Sequence, residues 1–150
     1  SHVHWDRKID GMIGHALMSI QAIKAVSLGD AISVSSKHGS ESHDAIYWEN
    51  NTYTRHTNHA GGIEGGITNG GIVRAQMFMK PLATLNRPVI ETVDTKTKEK
   101  VVSFKERTDV TAVPAAGVVG ETMLSIVLAQ ELQRKFGGDS IEEMLENYNR

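Results

Sequence analysis

The sequence predicts an α+β protein in which antiparallel sheets pack on helices. Segments near both ends of the chain have helical apolar periodicity, and the segments between them alternate as strands do. Neighbouring strands are separated by only a few residues, too few for the crossovers that parallel strands need. We expect a single domain over residues 1–150, because a chain of this length supports one core.

The first helix is predicted over residues 6–24. Its apolar residues recur at steps of three and four, and Asp6 is a suitable N-cap. Gly29 and Asp30 interrupt the pattern, after which "AISVS" (residues 31–35) alternates like a short strand. The polar "GSESHD" (residues 39–44) is typical of a loop.

The middle of the chain predicts two hairpins and one further strand. In "AIYWENNTYTRHT" (residues 45–57), Asn50 and Asn51 favour a tight turn between two strands. In "PVIETVDTKTKEKVVSF" (residues 88–104), the polar "DTKTKEK" is the expected loop. Between the hairpins, "GIVRAQMFMK" (residues 71–80) predicts a strand that ends at Pro81.

The longest helix is predicted over residues 115–136. Its first two turns are almost wholly apolar, which predicts a helix buried on most of its sides. Gly137 and Gly138 end it. Ser140 and Glu143 then have the spacing of a capping box at the start of a short last helix.

Composition excludes several classes of function. The net charge is −2 with dispersed basic residues, which argues against a nucleic-acid partner. The absence of cysteine excludes disulfides and thiolate metal sites and suits a reducing compartment, so we expect a cytoplasmic protein. No apolar run approaches the roughly 20 residues of a membrane span, and no signal peptide is recognisable. The seven histidines have no metal-binding spacing, so no metal site is expected.

The glycine-rich segment "NHAGGIEGGITNGG" (residues 58–71) holds six of the 14 glycines in the chain. It matches neither the dinucleotide-binding nor the P-loop pattern. Two interpretations remain open, a flexible loop and a backbone that closely approaches a flat or anionic ligand.

Two charged segments are also ambiguous. Arg107 and Asp109 in "ERTD" could form a surface ion pair, which their spacing alone favours, or an anion-binding guanidinium beside a carboxylate that transfers protons. Lys80 in "KPLAT" has the ordinary interpretation of a solvated charge.

Six segments together resemble the C-terminal half of the chorismate synthase family, in order and in spacing. They are "HWDRKIDGMIGHALMSIQAIKAVSLGD", "GSESHD", "TNHAGGIEGGITNGG", "MKPLAT", "ERTDVTAVPAAGVVGETM" and "KFGGDS". The resemblance implies that this chain is the C-terminal portion of a longer polypeptide, whose N-terminal half supplies two histidines and several arginines to the active site. It also implies a β-α-β sandwich and a homotetramer.

The activity that the resemblance implies is that of a carbon–oxygen lyase of the shikimate pathway. The family converts 5-enolpyruvylshikimate 3-phosphate into chorismate and phosphate by a 1,4-anti elimination. It requires reduced FMN, with NADPH as a candidate source of reductant. We expect the 150-residue chain by itself to be inactive.

The resemblance also implies site residues. Asp109 and Arg107 correspond to catalytic residues, the former credited with proton handling at the flavin and the latter lying near flavin and substrate. The implied flavin contacts are Gln21, Ala22, Gly65, Lys80, Pro81, Leu82, Ala83, Thr84 and Arg107. The rival hypotheses are a non-catalytic flavin- or anion-binding scaffold, and an interaction domain that uses its hairpins and binds no flavin.

Overall fold

The computed structural model describes residues 1–150, and it confirms the α+β class. Eight short strands pair as four two-stranded antiparallel sheets, β1 with β6, β2 with β3, β4 with β5, and β7 with β8. In chain order the elements are a 3₁₀ turn (Trp5–Arg7), α1 (Ile9–Met18), β1 (Ile23–Leu28), α2 (Ala31–Val34), α3 (Gly39–Ser42), β2 (Ile46–Glu49), β3 (Thr52–Arg55), β4 (Ile63–Glu64), β5 (Ile67–Thr68), β6 (Ala75–Met79), β7 (Glu91–Val93), β8 (Lys100–Val102), α4 (Val113–Phe136) and α5 (Ile141–Tyr148).

The first helix is shorter than its periodicity predicts. Helix α1 begins after Lys8 and ends at Met18, and the predicted N-cap Asp6 lies in the preceding 3₁₀ turn. Ile23 continues the helical spacing of apolar residues but starts β1, where it pairs with Met79 of β6. Pairing with a strand more than 50 residues away therefore overrides the local helical pattern.

The small core lies where α1 meets α4 and the β1–β6 sheet. Gly120 of α4 permits this packing, because a Cβ at that position would lie 2.2 Å from Cε of Met77 on β6. The cluster of buried side chains comprises Ile9, Ile13, Ala16, Leu17, Ile63 and Val127. Helix α1 is thus the central element on which the other elements converge.

Two local predictions between residues 30 and 44 are wrong. The "AISVS" segment forms the single helical turn α2 rather than a strand, and "GSES" forms the single turn α3. Gly29, with φ of 54°, ends β1, and no partner strand lies beside residues 31–35. Without a partner the alternating pattern cannot form a ladder, so the backbone satisfies its hydrogen bonds locally.

Both predicted hairpins are confirmed. Asn50 and Asn51 have φ of 51° and 61°, as a type I′ turn requires, between β2 and β3. The "DTKTKEK" loop joins β7 to β8, and residues Ala75–Met79 form the predicted strand β6. The β2–β3 hairpin projects with exposed aromatic side chains, Trp48 at 60% and Tyr53 at 75% exposure.

Helix α4 has nearly the predicted bounds but not the predicted burial. Only Ala116, Gly120 and Val127 are buried, and large apolar residues such as Val118 and Ile126 are exposed. By length and composition α4 could cross a membrane, so the expectation that no segment reaches this criterion is wrong. One face of α4 nevertheless packs on α1, and the opposite face is exposed.

The last helix is capped as predicted by Ser140. Its Oγ accepts a hydrogen bond from the N–H of Glu143, whereas the Glu143 carboxylate accepts from the N–H of Asp139 rather than of Ser140. The helix returns against the end of α4, where Tyr148 meets Phe136 edge to face at 5.2 Å.

Candidate functional site

An open cleft of about 480 Å³ brings together two segments that lie some 25 residues apart in the chain. One wall follows strand β6 and contains Lys80, Pro81, Leu82 and Thr84, and the other contains Asp109. The segments are held beside one another because the N–H of Glu106 donates to the carbonyl of Leu85 at 2.9 Å. Five of the residues singled out from sequence therefore share one cleft.

The Gln21–Ala22 pair lies at the edge of the same region. The carbonyl of Ala22 accepts a hydrogen bond from the N–H of Lys80 at 2.9 Å, immediately beyond the pairing of Ile23 with Met79. Ala22 has φ of 66°, a left-handed conformation that is costly for a residue with a Cβ. Such strain is concentrated at functional sites, where surrounding structure maintains it.

Arg107 and Ala83 flank the cleft without lining it. Ala83 faces a neighbouring cavity of about 280 Å³ that also contains Glu106 and Phe104. Arg107 is exposed, and it forms no ion pair with Asp109, so the surface ion pair favoured by spacing is absent. The charges of Lys80, Arg107 and Asp109 are all unpaired within the chain and therefore available to a ligand.

Gly65 lies apart from this cleft. It forms with Gly66 the turn of the β4–β5 hairpin, and the carbonyl of Gly66 accepts from the N–H of Ile9 at the start of α1. Ala22 lies beyond the other end of this ten-residue helix, whose length is about 15 Å at the usual rise. Gly65 and Ala22 thus lie near opposite ends of α1.

Two glycines of the glycine-rich segment, Gly61 and Gly62, pack closely against backbone. A Cβ on Gly61 would lie 2.3 Å from the nitrogen of Gly29, and one on Gly62 would lie 2.5 Å from the carbonyl oxygen of Ile72. At Gly65, by contrast, a Cβ would meet no atom within 4 Å. The segment is therefore held by close packing at Gly61 and Gly62, whereas Gly65 and Gly70 each have open space where a Cβ would lie.

Sequence reasoning missed a polar cluster that holds this segment. Asp44 accepts hydrogen bonds from the Thr57 hydroxyl and from the N–H groups of His59 and Ala60. Asp30 accepts from Nδ1 of His59 at 2.7 Å. These partners are 13 to 29 residues apart in sequence, so no local spacing could reveal them. No group of three or more metal-ligating side chains occurs among residues 1–150.

The cluster makes stability depend on pH. The hydrogen bond from His59 and the charge of Arg74 hold the pKa of Asp30 below its ordinary value of 3.8. Partial burial raises the pKa of Asp44, but hydrogen bonds from Ala60, Thr57 and His59 outweigh it and leave this pKa also lowered. The unfolded chain then binds protons at a higher pH than the folded chain, so these carboxylates stabilise the fold above about pH 4 and progressively less below it.

We therefore expect these groups to leave the urea midpoint of the intact polypeptide unchanged between pH 7 and about pH 5. The midpoint should then decrease as the pH is lowered below about 4. Asp44→Asn should lower the midpoint at pH 7 and make the decline at low pH shallower. Asp139→Asn, which replaces an exposed carboxylate, is the control and should keep the wild-type profile. Equal slopes for Asp44→Asn and wild type would exclude Asp44 as a source of the decline.

Comparison with known proteins identifies relatives of this chain. The family model described as chorismate synthase matches residues 1–133. Chorismate synthase of Aquifex aeolicus is 52% identical over 149 residues, covering 99% of this chain and 37% of that protein. Chorismate synthase of Thermoanaerobacter pseudethanolicus is 49% identical over 150 residues, covering 99% of this chain and 43% of that protein.

A solved structure has the same fold. A crystal structure of chorismate synthase superposes with a TM-score of 0.79 at 43% sequence identity, covering 99% of this chain and 37% of that one. The chain thus spans about two fifths of the length of the relatives it matches, and which part of their length it represents stays a prediction. A matching family model, close sequence identity and a shared fold agree, and the chain belongs to the chorismate synthase family.

Proposed function

We propose that the polypeptide containing this chain is a lyase that converts 5-enolpyruvylshikimate 3-phosphate into chorismate and phosphate and requires reduced FMN. The observation that carries the proposal is the cleft in which Lys80, Thr84 and Asp109 meet, with Ala22 hydrogen-bonded at its edge. These are the residues that the family resemblance associates with the flavin, and the fold brings them together from three separate parts of the chain.

The residues of the cleft suit an anionic, partly flat ligand. Lys80 within the cleft and Arg107 beside it supply unpaired cations, which favour phosphate and carboxylate groups. Thr84 and Thr108 add hydroxyl groups, and Leu82 and Val113 add apolar surface. A volume of about 480 Å³ lies within the range of small-molecule sites.

Within this proposal each residue has a distinct task. Lys80 and Arg107 bind the anionic groups of cofactor and substrate, and Pro81 restricts the backbone that follows Lys80. Asp109 accepts a proton at a carboxylate oxygen and afterwards releases it to solvent, which accounts for the proton that the elimination removes. Reduced FMN, when bound, supplies electron density while the C–O bond to phosphate breaks. The 1,4-elimination removes one phosphate and one proton and leaves a second double bond in the ring.

Further expectations accompany the proposal. A homotetramer remains an expectation; the exposed aromatic hairpin β2–β3 and the exposed outer face of α4 support contact with a further protein surface, since such apolar surfaces are usually covered. NADPH as the source of reductant and a cytoplasmic location remain expectations, the latter supported by the absence of cysteine. We also expect no nucleic-acid or membrane partner, and no turnover by the 150-residue chain alone.

The test is anaerobic phosphate release from 5-enolpyruvylshikimate 3-phosphate by the intact polypeptide, with reduced FMN and without it. We expect release only with the flavin.

Lys80→Ala should weaken FMN binding about tenfold, as loss of one charge-assisted hydrogen bond does. Lys96→Ala removes an exposed charge from the β7–β8 turn and should leave binding unchanged. Folded protein that binds FMN without turnover would favour the scaffold, and absence of FMN binding would favour the interaction domain.

A further inference from the structure

His59 is held in place by Asp30 through both side chain and backbone. Its Nδ1 lies 2.7 Å from Oδ2 of Asp30, and its carbonyl accepts from the N–H of the same residue at 2.8 Å. Arg74 binds the other carboxylate oxygen of Asp30 at 2.6 Å and also reaches the carbonyl of Asn58 at 3.1 Å. Asp30, which follows β1, is therefore bonded both to His59 at the start of the glycine-rich segment and to Arg74 just before β6.

Asn58, next to His59, is hydrogen-bonded to the residues that flank the β4–β5 hairpin. Its Oδ1 accepts from the N–H of Gly62 at 2.7 Å, and its Nδ2 donates to the carbonyl of Ile72 at 2.8 Å. The carbonyl of Gly62 in turn accepts from the N–H of Asn69 at 3.0 Å, which closes the base of the hairpin. The tip of that hairpin is the Gly65–Gly66 turn.

We propose that Asp30 and His59 are positioning residues that fix the base of the β4–β5 hairpin and thereby place the Gly65 turn against the cofactor. The part that concerns the cofactor rests on the proposed function. On this inference His59 acts through one hydrogen-bond donor, Nδ1, and takes no part in proton transfer. Any residue that presents a donor at that position should therefore replace it.

Asparagine is the discriminating substitution, because its amide nitrogen can occupy the position of imidazole Nδ1 but cannot transfer a proton near neutral pH. His59→Leu removes the donor at similar bulk. Asp30→Asn keeps an acceptor oxygen but removes its charge. Asp94→Asn is the matched control, since Asp94 similarly accepts backbone N–H groups, of Lys96 and Thr97, in the remote β7–β8 turn.

Two measurements on the intact polypeptide test the inference. One is the affinity for oxidised FMN by fluorescence titration, and the other is amide hydrogen exchange of residues 61–66. In His59→Leu we expect about tenfold weaker FMN binding and about tenfold faster exchange, as for loss of a hydrogen bond to a charged group. His59→Asn and Asp94→Asn should remain within about threefold of wild type in both, and Asp30→Asn should be intermediate.

The outcomes separate the alternatives. Unchanged exchange in both His59→Leu and Asp30→Asn would overturn the positioning role. Weak FMN binding by His59→Asn with wild-type exchange would overturn it in favour of direct action by the imidazole. If the wild type binds no FMN, the proposed function fails, and hydrogen exchange alone decides the positioning role. If His59→Leu does not fold, His59→Asn and Asp30→Asn decide it.

Discussion

Gly29→Ala is expected to prevent stable folding of the intact polypeptide, with a loss of more than about 4 kcal/mol of unfolding free energy. A Cβ at this position would lie 2.0 Å from the carbonyl oxygen of His59 and 2.5 Å from the nitrogen of Gly61. Both are backbone atoms that are already hydrogen-bonded: the carbonyl of His59 accepts from the N–H of Asp30, and the N–H of Gly61 donates to the carbonyl of Asn58. Relief of the clash would require the separation of these two segments.

Gly65→Ala is the matched control for this effect. Gly65 has a similar backbone conformation, with φ of 61° compared with 54° at Gly29, but a Cβ there would meet nothing within 4 Å. The substitution should cost only the conformational strain of about 1–2 kcal/mol. Thermal and urea unfolding of the two variants measure the difference. Equal losses would show that backbone conformation, and not close packing, requires glycine at residue 29.

Asp109→Ala is expected to slow phosphate release by about 10²–10⁴-fold, the usual contribution of a general acid–base residue. FMN affinity should change by less than about threefold, because cations and backbone rather than this carboxylate attract an anionic cofactor. Single-turnover phosphate release and fluorescence titration of FMN, both on the intact polypeptide, separate the two effects.

Asp139→Ala is the control for charge, since Asp139 is an exposed carboxylate in the link between α4 and α5. It should have wild-type turnover. Asp109→Asn keeps the shape of the side chain and removes its ability to exchange a proton, so it should be nearly as slow as Asp109→Ala. Full activity in Asp109→Asn would exclude proton transfer by this residue, and a parallel loss of FMN affinity would make it a binding residue instead.

Local chemistry made some elements predictable. The β2–β3 turn depends on Asn50 and Asn51, two adjacent residues that tolerate positive φ, and the start of α5 depends on Ser140 and Glu143. In each case the determining contacts lie within a few residues of one another. The local sequence pattern gave wrong predictions at the end of α1 and in α2. At both places, whether the segment forms a strand depends on the presence of a distant partner strand.

The candidate site divides in the same way. Five residues that line the cleft were implied by the family resemblance, whereas the sequence did not reveal that Lys80 and Asp109 share one cleft while Ala83 and Arg107 lie beside it. Nor could it predict the Asp30–His59 pair, whose members are 29 residues apart.

The sequence by itself determined the α+β class, the hairpin turns, and the motifs that mark family and cleft, because each depends on residues close together in the chain. Tertiary structure decided where α1 ends, how little of α4 is buried, and why the glycines are needed. Gly29, Gly61 and Gly62 are required because backbone meets backbone there at distances that leave no room for a Cβ. Such contacts exist only after distant segments have come together.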